Sequence, residues 1–373
     1  MIRKLHKLDW TLLLLMFGLI SIGTLVIYEA THGTKLDGLH LNNIVYGAVF
    51  LLPLLLVAVF DYRLLTGKFA YVLYGIGVLL LVCVQLFGEN VNGAVRWLSI
   101  GSFQFQPSEL AKLSTILLIA HLLHRRRGEK LRLLKDLLPI AAVFLIPFFF
   151  VYKQPDLGTA LVFVGILMGM LWIGNIGYGL MLALVGGSVA AVVGVLWMFR
   201  SHYELLARFV QPHQLARIQS FLDPASDPDK SWHVMNAITA IGGGGMLGGS
   251  GFFSRQGFIP YVYSDSIYVI VGERYGFMGS ALLLMLFFLL IYRMVLVAID
   301  NRGRAGAYVV VGIACMFTFQ IFVNIGMHVG LLPLTGISLP FISYGGSSLL
   351  ISMIAVGVVL SVKIHQPDRS SDR

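Results

Sequence analysis

Two short stretches hold the ionisable groups that an otherwise apolar chain has least reason to carry. One runs Phe258-Ile259-Pro260-Tyr261-Val262-Tyr263-Ser264-Asp265-Ser266-Ile267 and continues to Gly272-Glu273-Arg274-Tyr275-Gly276. It closes the only long polar interval and sets one carboxylate, Asp265, at the mouth of an apolar run. An ionisable group there costs free energy unless it faces protein or water, which makes it a candidate for function. The plain alternative is a solvated aspartate capping a helix. The second stretch is Gln104-Phe105-Gln106-Pro107-Ser108-Glu109-Leu110-Ala111-Lys112. Pro107 suits a first helical turn, Ser108 or Gln106 can help cap it, and Glu109 and Lys112, three apart, share a helical face. They form either a structural ion pair fixing two helices or a polar pocket whose cation meets a pyrophosphate. Arg96, in Asn92-Gly93-Ala94-Val95-Arg96-Trp97, adds a cation beside an aromatic.

The elements that must position these groups are membrane helices. Of 373 residues, 57% are hydrophobic and 12% charged, against about 25% charged in a soluble domain. Long unbroken apolar runs then define an all-α, polytopic membrane protein, read as a single domain over 1–373. Ten spans are expected, near 10–28, 43–60, 69–87, 108–123, 139–152, 159–175, 178–199, 268–292, 305–327 and 341–362. The fifth is short for a full crossing. The first lacks a small-residue cleavage site and reads as a signal-anchor helix. Cys83 and Cys315 fall in apolar segments and read as packing residues.

The net charge of +9 is explained by topology rather than by nucleic acid. With the N-terminus inside, the inner segments hold Arg3, Lys4, Lys7, Arg63, Lys68, Arg125, Arg126, Arg127, Lys130, Arg132, Lys135, Arg293, Arg302, Arg304, Lys363, Arg369 and Arg373. The short outer loops hold only Lys35, Arg96 and Lys153, the asymmetry of the positive-inside rule. Both termini are therefore expected in the cytoplasm. The run Arg125-Arg126-Arg127 is also placed to touch anionic headgroups.

On this topology, residues from about 200 to 267 lie outside, and a loop of that length is usually functional. Glu204 to Phe221 is expected as an amphipathic interfacial helix, with Leu205, Leu206, Phe209, Leu215 and Ile218 apolar. Asp223-Pro224 and Asp227-Pro228 break it. The segment from Gly242 to Gly251 has no preceding strand and no terminal Gly-Lys-Ser/Thr, so it is not a nucleotide loop; flexible backbone near a substrate entrance is expected. In Gln154-Pro155-Asp156-Leu157-Gly158-Thr159, Asp156 is either a helix cap or a site residue. The hydroxyls of Ser343 and Tyr344, in Ile342-Ser343-Tyr344-Gly345-Gly346-Ser347-Ser348, are candidates to bind a sugar or phosphate.

Together these motifs, in this order and spacing, resemble the SEDS proteins (shape, elongation, division and sporulation), from Asp9-Trp10 to the last span. Leu157-Gly158-Thr159-Ala160-Leu161 and Leu8-Asp9-Trp10 look more like the elongation branch, RodA, than the division branch, FtsW. The resemblance implies a glycosyltransferase that polymerises lipid II, with the catalytic aspartate at Asp265 and the polar pair at Glu109 and Lys112. It also implies a partner, a class B penicillin-binding protein that crosslinks the glycan. Phe277, Met278, Ile321 and Met327, with the long outer loop, are the expected contact. The chain departs from the family pattern at Tyr263, Ser266, Arg274, Trp232-His233 and Asn236-Ala237, which leaves open substrate details or an unusual paralogue.

The implied chemistry needs a general base, assigned to Asp265, and positive charge where pyrophosphate leaves. Lys112, Arg96, Arg217 or a divalent cation (Mg2+ or Mn2+) would supply that charge. Glu109 would orient Lys112. Arg96, Gln106, Ser108, Asp156, Arg217, Ser343 and Tyr344 are the expected substrate-binding residues. His233 and His328 are candidate hydrogen-bond donors, though a lone histidine is more often structural. The rival reading is a lipid II flippase. A transporter should hold its polar groups near the midplane on interrupted helices, whereas Glu109, Lys112, Asp156 and Asp265 gather at the outer end.

Overall fold

A peptide group in hydrocarbon must find its hydrogen bond within its own segment, so apolar runs become helices. The computed structural model describes residues 8–91, 94–101, 103–208, 210, 212–223, 228–301 and 303–366. Arg3, Lys4, Lys7, Arg302, Arg369 and Arg373 of the charge pattern, the Asn92-Gly93 pair, Phe209, Pro224 and Asp227 lie outside them. Each expected span corresponds to helix. These are α1 (Trp10–Thr31), α2 with α3 (Leu39–Val49 and Leu51–Val59), α5 (Phe69–Phe87) and α6 (Pro107–Arg125), with a short α4 (Tyr62–Leu65) between the second and third spans. Then follow α7 (Leu138–Lys153), α8 (Leu157–Ile173), α9 (Tyr178–Ser201), α14 (Ile267–Asp300), α15 (Arg304–His328) and α16 (Gly346–Ile364). Among the described residues, eight helical segments are long and apolar enough to cross a membrane. Helix α8 is a shorter apolar helix, and α6 is interrupted by Glu109 and Lys112. The fifth span is longer than expected because a π turn, Leu133–Leu137, runs directly into α7.

Burial grades the bundle. Helices α15 and α16 are largely enclosed, whereas α9 has no buried residue. Asp9 caps α1 by accepting from the Leu12 N–H at 3.2 Å. It also takes the Arg293 guanidinium at 2.8 Å from both Nε and Nη2. Arg293 lies about 40 Å along α14 from Ile267 at 1.5 Å per residue, so this pair ties α1 to α14 at the end of the bundle away from Asp265.

Three features of the end of the bundle that carries Asp265 differ from the expectation. A small antiparallel sheet, β1 (Glu89–Val91), β2 (Ala94–Ile100) and β3 (Phe103–Phe105), joins α5 to α6. The single helix expected over Glu204 to Phe221 is two helices, α10 (Tyr203–Leu206) and α11 (Pro212–Leu222), because Pro212 lacks an N–H and takes a first-turn position. After the Asp-Pro break come α12 (Pro228–Gly243) and the short α13 (Phe252–Arg255).

The third difference concerns the glycine-rich segment, which is packed backbone rather than a flexible entrance. Gly276 breaks α14 with φ 61° and ψ −154°, a region open essentially to glycine alone. The break strips the next N–H groups of their helical acceptors. Phe277 donates instead to the Gly245 carbonyl at 2.8 Å and Met278 to that of Met246 at 3.1 Å. In return Gly249 donates to the Glu273 carbonyl at 2.7 Å. A Cβ at Gly244 would lie 2.0 Å from the Gly272 oxygen, and one at Gly248 2.0 Å from the Arg274 oxygen. Gly244 and Gly248 are required by close approach, whereas an added Cβ at Gly242, Gly243 or Gly245 meets nothing within 4 Å. We therefore expect Gly276→Ala to lower the melting temperature of the purified protein by several degrees, since it adds both backbone strain and a clash. Gly194→Ala, in α9 where an added Cβ meets nothing within 4 Å, should leave it unchanged or slightly raised.

Candidate functional site

Asp265 sits in the turn just before α14, and the surrounding elements hold the backbone of that turn. The Tyr344 N–H donates to the Tyr263 carbonyl at 3.0 Å. The Ser343 hydroxyl donates to the Ser264 carbonyl at 2.7 Å and accepts from the Leu339 N–H at 2.7 Å. The Asp265 carbonyl accepts from Asn324 Nδ2 at 2.7 Å and from His328 Nε2 at 2.9 Å, both on α15. Asn324 donates equally to the Ile337 carbonyl. On the other side, His233 Nε2 on α12 lies 3.0 Å from the Ser266 hydroxyl. The backbone is thus fixed, but Asp265 Oδ1 is buried without a hydrogen-bond partner. A buried acceptor left open is uncommon and marks a place for a donor.

Burial raises the Asp265 carboxyl to about 6, against the opposing pull of nearby backbone N–H groups, Arg217 and Arg96. A carboxylate titrating there is ionised yet appreciably basic at neutral pH. His233 is pushed the other way, to about 4, by burial and by Arg217, so its ring is neutral beside Ser266. Arg217 on α11 is the cation of this group. Its Nη1 donates to the Thr335 carbonyl at 3.2 Å, and its electrostatic neighbours are Arg96, Asp156 and Asp265. The fold therefore brings four of the sequence-selected ionisable residues into one cluster from four separated segments.

Asp156 takes the capping role open to it. It caps α8, accepting from the Thr159 N–H at 3.1 Å. It also accepts from Gln106 Nε2 at 3.3 Å and stands 3.8 Å from Arg96 Nη1. Gln106 is the N-cap residue of α6, but its side chain makes no capping bond because it reaches Asp156 instead. Ser108 does not cap α6 either: its hydroxyl is buried with no partner. Arg96 donates from Nε to the Gln154 carbonyl at 3.0 Å and from Nη2 to that of Pro155. Much of its hydrogen-bonding capacity therefore fixes the turn before α8.

Glu109 and Lys112 form a closed pair, with Lys112 Nζ donating to Glu109 Oε1 at 2.8 Å. Both are buried inside the bundle, the lysine completely. Ser343 and Tyr344 correct an expectation: they clamp the Asp265 turn instead of facing a sugar or phosphate. Ser343 has both hydrogen-bonding roles filled, and the Tyr344 side chain bonds Asn42 and Tyr46. The position that the sequence reading missed is Asn324, a polar residue inside an apolar run, which was its only signal. The departures are also accommodated. Glu273 accepts from the N–H groups of Phe253 at 2.7 Å and Ser254 at 3.0 Å, and Arg274 pairs with Glu29 of α1. Ile321 and Met327, expected as a partner surface, are buried. Phe277, Met278 and Phe322 are the exposed residues of the two helices there.

Fold and site together define a multi-pass membrane protein with one ionisable cluster at one end of its helix bundle. The family model described as a cell cycle protein, covering FtsW, RodA and SpoVE, matches residues 6–368. The chain belongs to this family, the SEDS proteins. It is 34% identical over 373 residues to the peptidoglycan glycosyltransferase MrdB of Escherichia coli, covering 97% of this chain and 95% of that one. It is 30% identical over 434 residues to the peptidoglycan glycosyltransferase RodA of Treponema pallidum, covering 98% and 99%. Among solved structures, it matches a chain of a peptidoglycan synthase complex that coordinates polymerization and crosslinking, with TM-score 0.80, 29% identity and coverage of 96% and 99%. It also matches Thermus thermophilus RodA, with TM-score 0.71, 28% identity and coverage of 97% and 98%.

The buried pair gives a stability prediction. Lys112→Met leaves Glu109 as an uncompensated charge inside the bundle, a defect that costs about 3–5 kcal/mol. Thermal unfolding should show a clear loss, and Glu109→Gln added to the same chain should recover most of it. If the single variant melts like the parent, the two groups are not a coupled pair.

Proposed function

We propose that this chain is a peptidoglycan glycosyltransferase that polymerises lipid II, with Asp265 as its general base. The observation that carries the assignment is the open Oδ1 of Asp265, held on a backbone fixed from three sides and flanked by Arg217. The acceptor sugar hydroxyl gives its proton to the Asp265 carboxylate as its oxygen attacks the anomeric carbon of the growing glycan. The bond from that carbon to the lipid pyrophosphate breaks, and the configuration inverts. Negative charge develops on the leaving pyrophosphate, where a preorganised cation contributes most. Arg217 is the best placed, since Arg96 is held by carbonyls and Lys112 by Glu109. Gln106, Asp156 and Ser108 frame the same end of the bundle. This is the elongation and cell-shape activity of the RodA branch, to which several of the similar proteins and solved structures belong.

A resident divalent ion finds a thin donor set here. Among the described residues no three histidine, cysteine or acidic side chains group together, and Asp156 and Asp265 both have arginines as electrostatic neighbours. No step is routed through a metal. The flippase alternative requires its polar groups at mid-bilayer on broken helices; the cluster around Asp265 instead belongs to the loops and helix ends. The charge asymmetry supports both termini in the cytoplasm and this cluster on the outer face, where flipped lipid II is available.

Asp265→Asn keeps the shape of the side chain and loses its basicity, so polymerisation of purified lipid II should fall on the order of a hundredfold or more. Folding should be unaffected. The pH profile follows from the same group: the base works when deprotonated, so kcat/KM should fall tenfold per pH unit below about 6 and level off above it. An Asn variant that polymerises at the parent rate, or a profile flat through that range, sinks the assignment.

The matched synthase complex couples polymerization to crosslinking, and this sequence offers no Ser-x-x-Lys nucleophile set of its own. We assign the crosslinking to a class B penicillin-binding protein. Phe277 and Met278, at the outer part of α14 just after its break, with Phe322 on α15, form the exposed apolar face such a partner's single span would use. Apolar surfaces associate in lipid by close packing. Met278→Trp should therefore reduce co-purification with the transpeptidase and lower polymerisation only when the partner is present. Undiminished co-purification, or equal activity without any partner, would remove this surface from the proposal.

A further inference from the structure

The end of the bundle away from Asp265 carries a cation cluster whose nearby acids are already engaged. From the end of α6 through the π turn lie two carboxylates, Glu129 and Asp136. Arg126 pairs with both, at 3.0 Å and 3.1 Å. Asp136 also accepts from the Arg132 N–H at 2.8 Å. Among the described residues, Arg127, Lys130 and Arg304 then have no carboxylate within 4 Å. Arg127 and Arg304 nevertheless share His124 as a neighbour, and Lys130 follows on the same loop with its ammonium beside Gly177. The Arg304 guanidinium lies against Gly128, where an added Cβ would be 2.7 Å from Nη1. His124 has Arg304, Arg127 and His121 as its electrostatic neighbours, all cationic or potentially so.

The cluster is held in place rather than merely crowded. Gly128 adopts φ 79°, and its carbonyl accepts from Asn175 Nδ2 at 3.1 Å. The Leu131 N–H donates to the Asn175 carbonyl at 3.3 Å, so the hairpin between α8 and α9 braces the loop. The last carbonyls of α6 do not supply compensating negative ends, because those of Leu123 and His124 accept from the N–H groups of Arg126 and Arg127 at 3.1 Å. Arg304 opens α15, whose N-cap makes no side-chain capping bond, so the positive end of a 25-residue helix adds to the same field.

Immediately beyond the loop, Leu133, Leu134 and Leu138 are 63%, 75% and 64% exposed. Fixed cations beside bare leucines at a span boundary match one ligand better than a free anion does: a molecule with a phosphate head and acyl chains. We propose that the surface formed by His124, Arg127, Lys130 and Arg304 is a binding site for the headgroup of an anionic phospholipid, with the leucines against its chains. Unlike a diffuse basic surface, this site is built around one loop and depends on particular cations.

The test is lipid retention by the purified full-length chain, offered equal phosphatidylglycerol and phosphatidylcholine and read by native mass spectrometry. The parent should retain phosphatidylglycerol preferentially. Each neutralised cation should lower that preference about fivefold, so Lys130→Gln should lose about fivefold and Arg127→Gln with Arg304→Gln about 25-fold. Arg255→Gln, at the other end of the bundle, should change nothing. If the double variant fails to fold, exposed Lys130 decides the matter alone. Unchanged preference in Lys130→Gln overturns the proposal. So does displacement of the lipid by inorganic phosphate with an equal gain in thermal stability, which would make this a free-anion site.

Discussion

The carbonyl of Asp265 accepts two hydrogen bonds from α15, and much of that end of the bundle depends on the junction. Asn324 and His328 project from a helix buried at the centre of the bundle, so they hold the loop to the least mobile part of the molecule. A backbone oxygen satisfied twice is not free to move, and the side chain beyond it inherits that rigidity. Ser343 and Tyr344 hold the preceding two carbonyls from the stretch before α16. Ser343 and Tyr344 thus hold the turn that carries Asp265, whose Oδ1 is buried without a hydrogen-bond partner among the described residues.

The same demand for hydrogen-bond partners shapes the entry to α14. A helix broken at Gly276 near the bilayer boundary exposes N–H groups that lipid cannot serve. The glycine-rich segment supplies the carbonyls of Gly245 and Met246 to them, and its approach leaves no room for a Cβ at Gly244 or Gly248. Those two glycines thus follow from close packing. Arg274, the departure nearby, pairs with Glu29, and its neighbour Glu273 holds the N–H groups of Phe253 and Ser254.

The two ends of the bundle use charge differently. At the Asp265 end, charges of both signs are interleaved: Asp156 and Asp265 lie among Arg96 and Arg217. This sets opposite charges beside one another within a buried region. At the other end, Arg126 takes both acids and the remaining cations are left in excess. The Glu109–Lys112 pair sits apart from either group, closed on itself within α6, where its neutrality allows it to stay buried.

Sequence alone determined the class of fold and the placement of its helical spans, and brought Asp265 forward as a candidate, because each rests on local signals. Apolar length demands helix, basic loops mark a side, and a carboxylate beside hydrocarbon needs a reason. It also brought forward Glu109, Lys112, Asp156 and Arg217 one by one. Tertiary structure decided which of them meet. Asp265, Arg217, Arg96 and Asp156 come from segments up to 169 residues apart in the numbering, and no periodicity links them. It also showed Ser343 and Tyr344 clamping the Asp265 turn, the first through its hydroxyl and the second through its backbone N–H, because a group's role depends on which carbonyl lies opposite. The sheet over Glu89–Phe105 was hidden by its short strands, and the packed glycine segment by a composition that suits flexibility equally well. Asn324 was passed over within its apolar run, since its two acceptors lie in loops that only the folded bundle brings to it.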